Sequence, residues 1–221
     1  MVTIADNLTA LRSRIEAACR RAGCRPAEVT LIAVTKGFPA SAVRETYEAG
    51  IRDFGENRAQ EAAGKLPALA GIRADVTWHM IGHIQTNKIK TVLGLFDIIH
   101  SVDSFHLAEA LSRRAPHAVP AFLEVNAASE STKFGLNLKE LPREFERISR
   151  LPGIEVRGLM TVAPIAADSG EVRPIFRRLR EAAGALGLSQ LSMGMTDDFE
   201  VAIEEGATHI RVGRAIFGER S

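Results

Sequence analysis

Lys36 closes an apolar, β-branched run, Val29-Thr30-Leu31-Ile32-Ala33-Val34-Thr35, and is followed at once by the breakers Gly37-Phe38-Pro39. A run of this kind predicts a strand buried on both faces, as in a parallel sheet. A lysine at the end of such a strand is partly desolvated, which favours the neutral amine and makes it a usable nucleophile toward a carbonyl. The competing reading is an ordinary lysine whose head reaches solvent as the strand exits. Strand alternation puts Ile32, Val34 and Lys36 on one face and Leu31, Ala33 and Thr35 on the other. Near the other end of the chain, Ser192-Met193-Gly194-Met195-Thr196-Asp197-Asp198 and Arg211-Val212-Gly213-Arg214-Ala215 each lead from a strand into a helix through glycine. Glycine lets an anion approach backbone N–H groups, and a helix N-terminus adds a favourable partial charge. Thr196 has a plainer reading as an N-cap, with Asp197 and Asp198 complementing the helix dipole. In the last strand His209, Arg211 and Gly213 share a face; if Ile210 and Val212 turn to the helices, Arg211 points inward and needs a carboxylate or a ligand. Glu124, at another strand end, is the structural candidate for that carboxylate.

The elements that must position these groups alternate along the whole chain. Apolar spacing predicts helices over 7–23, 41–49, 56–65, 83–93, 103–114, 139–149, 169–186 (opened by Asp168-Ser169), 197–205 and 215–218. Strands are expected at 29–36, 51–55, 76–82, 96–102, 119–126, 154–161, 191–194 and 208–212. Eight strands alternating with helices predict a parallel sheet, and in 221 residues they predict a single α/β domain: a closed (β/α)8 TIM barrel with an extra N-terminal helix. An open doubly wound sheet is the alternative, but no G-x-G-x-x-G follows the first strand. Reactive groups in such barrels come from the C-terminal ends of strands, where Lys36, Glu56, Asn57, His79, His100, Glu124, Met160, Thr196, Gly213 and Arg214 fall. A reactive lysine, a phosphate cradle and an inward arginine in one barrel point to a phosphorylated carbonyl ligand held as a Schiff base.

Composition narrows the partners. Net charge is +1 with both signs mixed along the chain, which shows no electrostatic footprint for nucleic acid or an anionic membrane. No apolar run approaches the length of a membrane span, and the N-terminus lacks the basic and apolar regions of a secretory signal. Cys19 and Cys24, spaced C-x4-C, match neither a redox nor a zinc pattern and are read as reduced thiols in a cytoplasmic protein. His79 and His83 have an H-x3-H spacing, but they straddle Gly82 at a strand end and no third ligand follows from spacing, so no metal is expected.

At six blocks the sequence resembles the pyridoxal phosphate homeostasis proteins (YggS/PROSC type), related to the barrel domain of alanine racemase. The blocks are Ala33-Val34-Thr35-Lys36, Asp53-Phe54-Gly55-Glu56-Asn57-Arg58, Trp78 through Lys88 (with His79-Met80-Ile81-Gly82-His83-Ile84-Gln85-Thr86-Asn87 between), Gly158-Leu159-Met160-Thr161, Leu191 through Asp198, and Val212-Gly213-Arg214-Ala215-Ile216-Phe217-Gly218. They occur in the family's order and span nearly the whole chain. The resemblance implies a barrel like the N-terminal one of alanine racemase, with pyridoxal 5′-phosphate bound as an aldimine on Lys36. It implies Asn57 beside the ring, Arg211 at the pyridine nitrogen, and Ser192, Thr196, Gly213 and Arg214 around the phosphate. Met160 and His79 are counted with the cofactor-binding residues, His79 packing or hydrogen-bonding nearby. Many relatives carry Ser or Thr where this chain has Arg214, so a hydroxyl contact to phosphate is lost there while the backbone N–H remains.

The remaining motifs have plainer readings. The Gln85-Thr86-Asn87-Lys88 run is expected to begin a solvated helix, and Arg177, Arg178 and Arg180 to form a charged outer face. Lys133, in the loop after the fifth strand, is read first as solvated and second as an amine for handing the aldehyde on. An arginine beside the pyridine nitrogen disfavours its protonation and weakens the ring as an electron sink. The only tyrosine, Tyr47, falls on the helix after the first strand, with no reason to reach the mouth as the racemase's second acid/base does. Nor is there room for the racemase's second β-domain. The expected function is therefore a monomeric carrier that buffers and delivers pyridoxal phosphate, with transient contact to apo enzymes that use it and little or no turnover. The alternative is a racemase or related enzyme using Lys36 as base, with His79 or water opposite. A third reading is an aldolase-like barrel whose Lys36 binds substrate.

Overall fold

The computed structural model describes residues 3–128, 134–164 and 169–219. Eight strands, β1 (Thr30–Val34), β2 (Asp53–Glu56), β3 (Thr77–Met80), β4 (Ile98–Val102), β5 (Val119–Glu124), β6 (Ile154–Met160), β7 (Gln190–Ser192) and β8 (His209–Val212), pair in parallel in chain order. β8 returns to β1, with Ile32 beside Arg211, and closes the barrel. Around it run α1 (Ile4–Ala22), α2 (Ala40–Glu48), α3 (Ala59–Lys65), α4 (Ile89–Leu95), α5 (Phe105–Ser112), α6 (Leu141–Ser149), α7 (Ser169–Ala185), α8 (Phe199–Glu204) and α9 (Arg214–Phe217). The expected TIM barrel with an added N-terminal helix is what the chain forms.

Each strand splits its side chains between two environments. Outward residues such as Ala33, Phe54, Trp78, Ile99, Leu123, Leu159 and Ile210 join the apolar cluster beneath the helices. The alternate positions face the barrel interior, where the buried apolar groups are Ile32, Val34, Phe122 and Met160. The rest of that interior is polar. His79, His100, Ser192 and Arg211 are all buried there.

α1 begins earlier than its apolar spacing indicates. Thr3 and Asp6 form a reciprocal capping box, and Gly23 at φ 72 ends the helix. The buried stripe Leu8, Leu11, Ile15 and Ala18 packs on α8 and α9, and Arg14–Glu200 and Arg21–Glu204 bridge the rim. Several expected elements shift. β1 stops at Val34, because Gly37 at φ 79 turns the chain and Phe38 N–H bonds back to Thr35 O. Glu56 ends β2 and does not open α3. Residues 83–85 are not helical, and a short 3-10 turn, Thr86–Lys88, precedes α4. A ten-residue 3-10 stretch, Leu66–Asp75, buries Leu66, Leu69 and Ile72 where no element was expected. The arginines of α7 are not simply an outer face. Arg177 and Arg180 join Arg173 in converging on the buried carboxylate of Glu205, leaving only Arg178 of the triplet turned to its own helix.

Cys19 is buried and Cys24 half-buried, and neither is in a disulfide. No helix among the described residues is long and apolar enough to cross a membrane.

Gly158 shows how little slack the barrel has. It lies beside Gln190 in the β6–β7 pairing, and a Cβ there would meet Gln190 O at 2.1 Å. Gly158→Ala is expected to cost about 3 kcal/mol through forced separation of these strands. Urea denaturation measures it, and an unchanged midpoint would show that the pairing is looser than the structure has it.

Candidate functional site

Lys36 is the first residue of the turn that leaves β1, in register with the inward-facing Ile32 and Val34. The backbone on both sides of it is clamped from α3. Lys65 Nζ donates to Thr35 O at 2.7 Å, and Gly37 N–H donates to Glu61 Oε1 at 2.5 Å. Beneath the clamp, Glu56 Oε1 accepts from Thr35 Oγ1 at 2.6 Å and from Lys65 Nζ at 2.5 Å. Burial pushes the Glu56 carboxyl up, against the pull of Lys65 and Thr35. Beyond the turn, Phe38 stacks on Phe217 of α9 with centroids 4.7 Å apart. The lysine therefore sits on a turn tied to the helical shell by two hydrogen bonds and an aromatic contact.

Arg211 projects into the barrel from β8 and is 5% exposed. Its Nη1 donates to Ser192 Oγ at 2.6 Å and its Nη2 to Thr161 O at 2.8 Å. Burial pulls its pKa down to about 10, opposed by Asp198 and Glu124, so it keeps its charge at neutral pH. The carboxylate expected opposite Arg211 is thus not a direct partner; a hydroxyl and a carbonyl hold the guanidinium instead. Glu124, inward at the end of β5, is pushed up to about 7 by burial and by Asp103, with Arg211 pulling the other way.

The expected phosphate residues divide. Ser192 is wholly buried and its hydroxyl is engaged by Arg211 and His100, so its side chain braces the arginine inside the barrel. Thr196 lies in the turn after β7; the cap of α8 is Asp198, whose carboxylate accepts from Met195 N–H at 2.5 Å. The Thr196 hydroxyl makes no hydrogen bond among the described residues. Gly194 has φ 94, and a Cβ there would meet Ala202 Cβ at 2.6 Å. Gly213 leads into α9, whose first N–H groups have no intrahelical acceptors. The Arg214 side chain turns outward to Asp197 and Glu219.

Asn57 follows β2 and is fixed by contact: a Cβ on Gly82 would lie 2.3 Å from Asn57 O, and Ser101 Oγ donates to Gly82 O at 2.6 Å. Met160 ends β6, inward, between Glu124 and Ser192 in register. His79 lies inside the barrel, bonded to Asp53 and His100, and not at the mouth. His83 is in the mouth loop, bonded to Asp103 and stacked on Phe134 at 4.2 Å, so the two histidines share no site. Among the described residues no group of three or more His, Cys, Asp or Glu could hold a metal ion. The Gln85–Lys88 run is a solvated turn, and Tyr47 sits on the shell with its hydroxyl donating to Asp75. Lys133 and Asp168 lie outside the described residues. Sequence reasoning missed Lys65 and Glu61; their spacing on α3 with Glu56 was the available signal.

Residues 7–221 match the model of the alanine racemase N-terminal domain family. The chain is 44% identical, over all of its length and 97% of the relative's, to the pyridoxal phosphate homeostasis protein of Pseudomonas aeruginosa. It is 38% identical to the protein of the same name in Escherichia coli, over its full length and 98% of the relative's. The chain belongs to the pyridoxal phosphate homeostasis family. Among solved structures, PipY of Synechococcus elongatus with pyridoxal phosphate bound superposes with a TM-score of 0.87 at 40% identity, covering 98% of this chain and all of that one. Alanine racemase from Corynebacterium glutamicum, at 19% identity and a TM-score of 0.70 over 96% of this chain and 62% of its own, shows the shared barrel alone.

Two predictions follow from this geometry. Lys65→Met leaves Glu56 buried without its cation and should destabilise the protein by about 3–5 kcal/mol, while adding Glu56→Leu should recover part of that loss; urea denaturation of both variants checks it. Glu124 holds its proton more tightly folded than unfolded, so its contribution to stability is complete below about 4.5 and is lost as pH rises to about 7. Glu124→Gln should therefore flatten the decline of melting temperature across that interval in the cofactor-free protein.

Proposed function

We propose that this protein binds pyridoxal 5′-phosphate as an aldimine with Lys36 and serves as an intracellular reservoir that buffers and delivers the cofactor, with little or no turnover. The observation that carries the reading is the pairing of Lys36, clamped at the rim, with Arg211, a permanently charged donor held inside the same mouth. The donors present fit the cofactor. Thr196 offers a hydroxyl with no partner among the described residues, and the N–H groups that open α9 offer backbone contacts suited to a phosphate dianion. Asn57, at the end of β2, has its backbone held in place by the close approach of Gly82. When bound, the cofactor supplies an aldehyde for the lysine and a ring able to accept electrons.

The chain's own residues argue for storage. Arg211 cannot give up a proton to a ring nitrogen, so it favours the unprotonated pyridine and weakens the electron sink that racemisation needs. His79, considered as a second acid/base, is engaged below the site by Asp53 and His100, and Tyr47 is bonded to Asp75 on the outer shell. One observation favours a racemase-like enzyme as a second reading. Glu124 points into the mouth with a carboxyl that titrates near 7, a usable acid or base at neutral pH. Single amino-acid enantiomers in deuterated water separate the two, since an enzyme must exchange the α-proton and a carrier need not.

Purified protein loaded with pyridoxal phosphate should be yellow, and borohydride should fix the label on Lys36 by peptide mass mapping. Lys36→Ala should lose both colour and label. A colourless wild type that takes up no added pyridoxal phosphate would overturn the reading and return the aldolase-like barrel.

A further inference from the structure

Below the mouth the barrel holds polar side chains that cofactor binding does not use. Asp53 opens β2 at the end of the barrel opposite Lys36, and its side chain is 31% exposed. His79 Nε2 lies 3.0 Å from Asp53 Oδ1, and His79 Nδ1 lies 2.9 Å from His100 Nε2. His100 Nδ1 lies 2.8 Å from Ser192 Oγ, which is 2.6 Å from Arg211 Nη1. The contacts make one unbroken line from the barrel floor to Arg211, through β2, β3, β4, β7 and β8.

The two ends fix its direction. A guanidinium can only donate and an ionised carboxylate can only accept. Ser192 Oγ accepts from Arg211, and the acceptor that the described residues offer its own buried hydrogen is His100 Nδ1. His100 must then carry its proton on Nε2 and donate to His79 Nδ1. His79 in turn carries its proton on Nε2 and donates to Asp53. Both imidazoles are neutral in this arrangement, and each tautomer follows from the donors and acceptors at the ends. Burial, with His79, His209 and Arg211 as neighbours, holds His100 well below its usual range, in keeping with that state. Phe122 stacks on the His100 ring at 4.4 Å, and His209, itself held down to about 4, meets it edge-on at 5.9 Å. Arg157 acts on His209 from β6. The line thus runs through a low-dielectric interior, where successive hydrogen bonds polarise one another.

We propose that Asp53, His79 and His100 are positioning residues that act through Ser192 on Arg211, fixing the guanidinium that meets the pyridine nitrogen by a single polarised chain anchored at the barrel floor. The part that concerns the ring rests on the pyridoxal phosphate reading above. The part that concerns Arg211 does not. Polarisation from Asp53 makes Ser192 Oγ a stronger acceptor, and that holds Arg211 Nη1 in place while Thr161 O holds Nη2.

The test uses Asp53→Asn, which keeps an acceptor oxygen and removes the charge, with His79→Gln as a second break in the line. In the cofactor-free protein, nitrogen NMR should show both imidazoles as Nε2–H tautomers. The Arg211 side-chain resonance should shift in Asp53→Asn, in His79→Gln and in Ser192→Ala. In protein loaded with pyridoxal phosphate, Asp53→Asn should move the visible absorption band and weaken binding about 2- to 10-fold, the scale of one hydrogen bond. In a Ser192→Ala background it should change neither, because the line is already cut. An Arg211 signal indifferent to Asp53, or an equal effect with and without Ser192, overturns the proposal. If wild-type protein takes no label at Lys36, the binding reading fails, while the Arg211 signal still decides whether the chain operates.

Discussion

A permanently charged guanidinium inside a closed barrel is the constraint that the interior satisfies. An unpaired charge there would be prohibitive, and a close carboxylate would neutralise the donor that makes it useful. The solution is distributed: Ser192 and Thr161 O take the hydrogen bonds, while Asp198 and Glu124 contribute field without contact. Once Ser192 accepts from the arginine, it must donate elsewhere, and the polar line through His100 and His79 to Asp53 is the consequence. Beside Ile32, Val34 and Met160 the interior therefore carries a polar run, where barrels of this class more often fill theirs with branched aliphatics throughout.

Lys36 is controlled from the other side of the wall. The groups that pin its turn come from α3, outside the barrel, and the Glu56–Lys65 pair beneath them is buried. Lys65 reaches a backbone carbonyl as well as Glu56, so it fixes chain direction beyond neutralising a charge. The two residues that define the mouth are thus positioned independently, one by the shell and one by the core. The loops after β7 and β8 present the Thr196 hydroxyl and the first N–H groups of α9, with Asp198 holding Met195 N–H.

Much of this was legible in the sequence, for physical reasons. Continuous apolar runs ending in glycine or polar residues marked the eight strands; alternation grouped Lys36 with Ile32 and Val34 and, with Ile210 and Val212 toward the helices, turned Arg211 inward. Alternation could not say what Arg211 would bond to, because that depends on which strand ends meet across the barrel. Ser192 was read with the phosphate from its block, yet its parity on β7 faces it to Arg211 and His100. Arg214 sits at the expected helix start while its side chain is drawn to Asp197 and Glu219. The stretch 66–75 went unread because a 3-10 path lacks the 3.6-residue period on which helix prediction rests. The arginines of α7 looked like a solvated face because Glu205, their target, is 25 residues or more away in sequence and buried only by folding.

The arrangement bears on why a barrel with a lysine and an arginine in its mouth would store a cofactor. Racemisation on a pyridoxal ring draws on electron withdrawal through the ring and an acid/base group on each side of the reacting carbon. On the proposed reading Arg211 opposes the first, because its own proton is not available and its hydrogen bonds go to Ser192 and Thr161 O. For the second, His79 and His100 are already committed to the chain that ends on Asp53, and Glu124 is a titrating group that faces the mouth. Under the proposed storage role, a carboxyl near neutrality in the same mouth as the lysine is suited to exchanging protons during loading and unloading. Capture and release ask for no more than that.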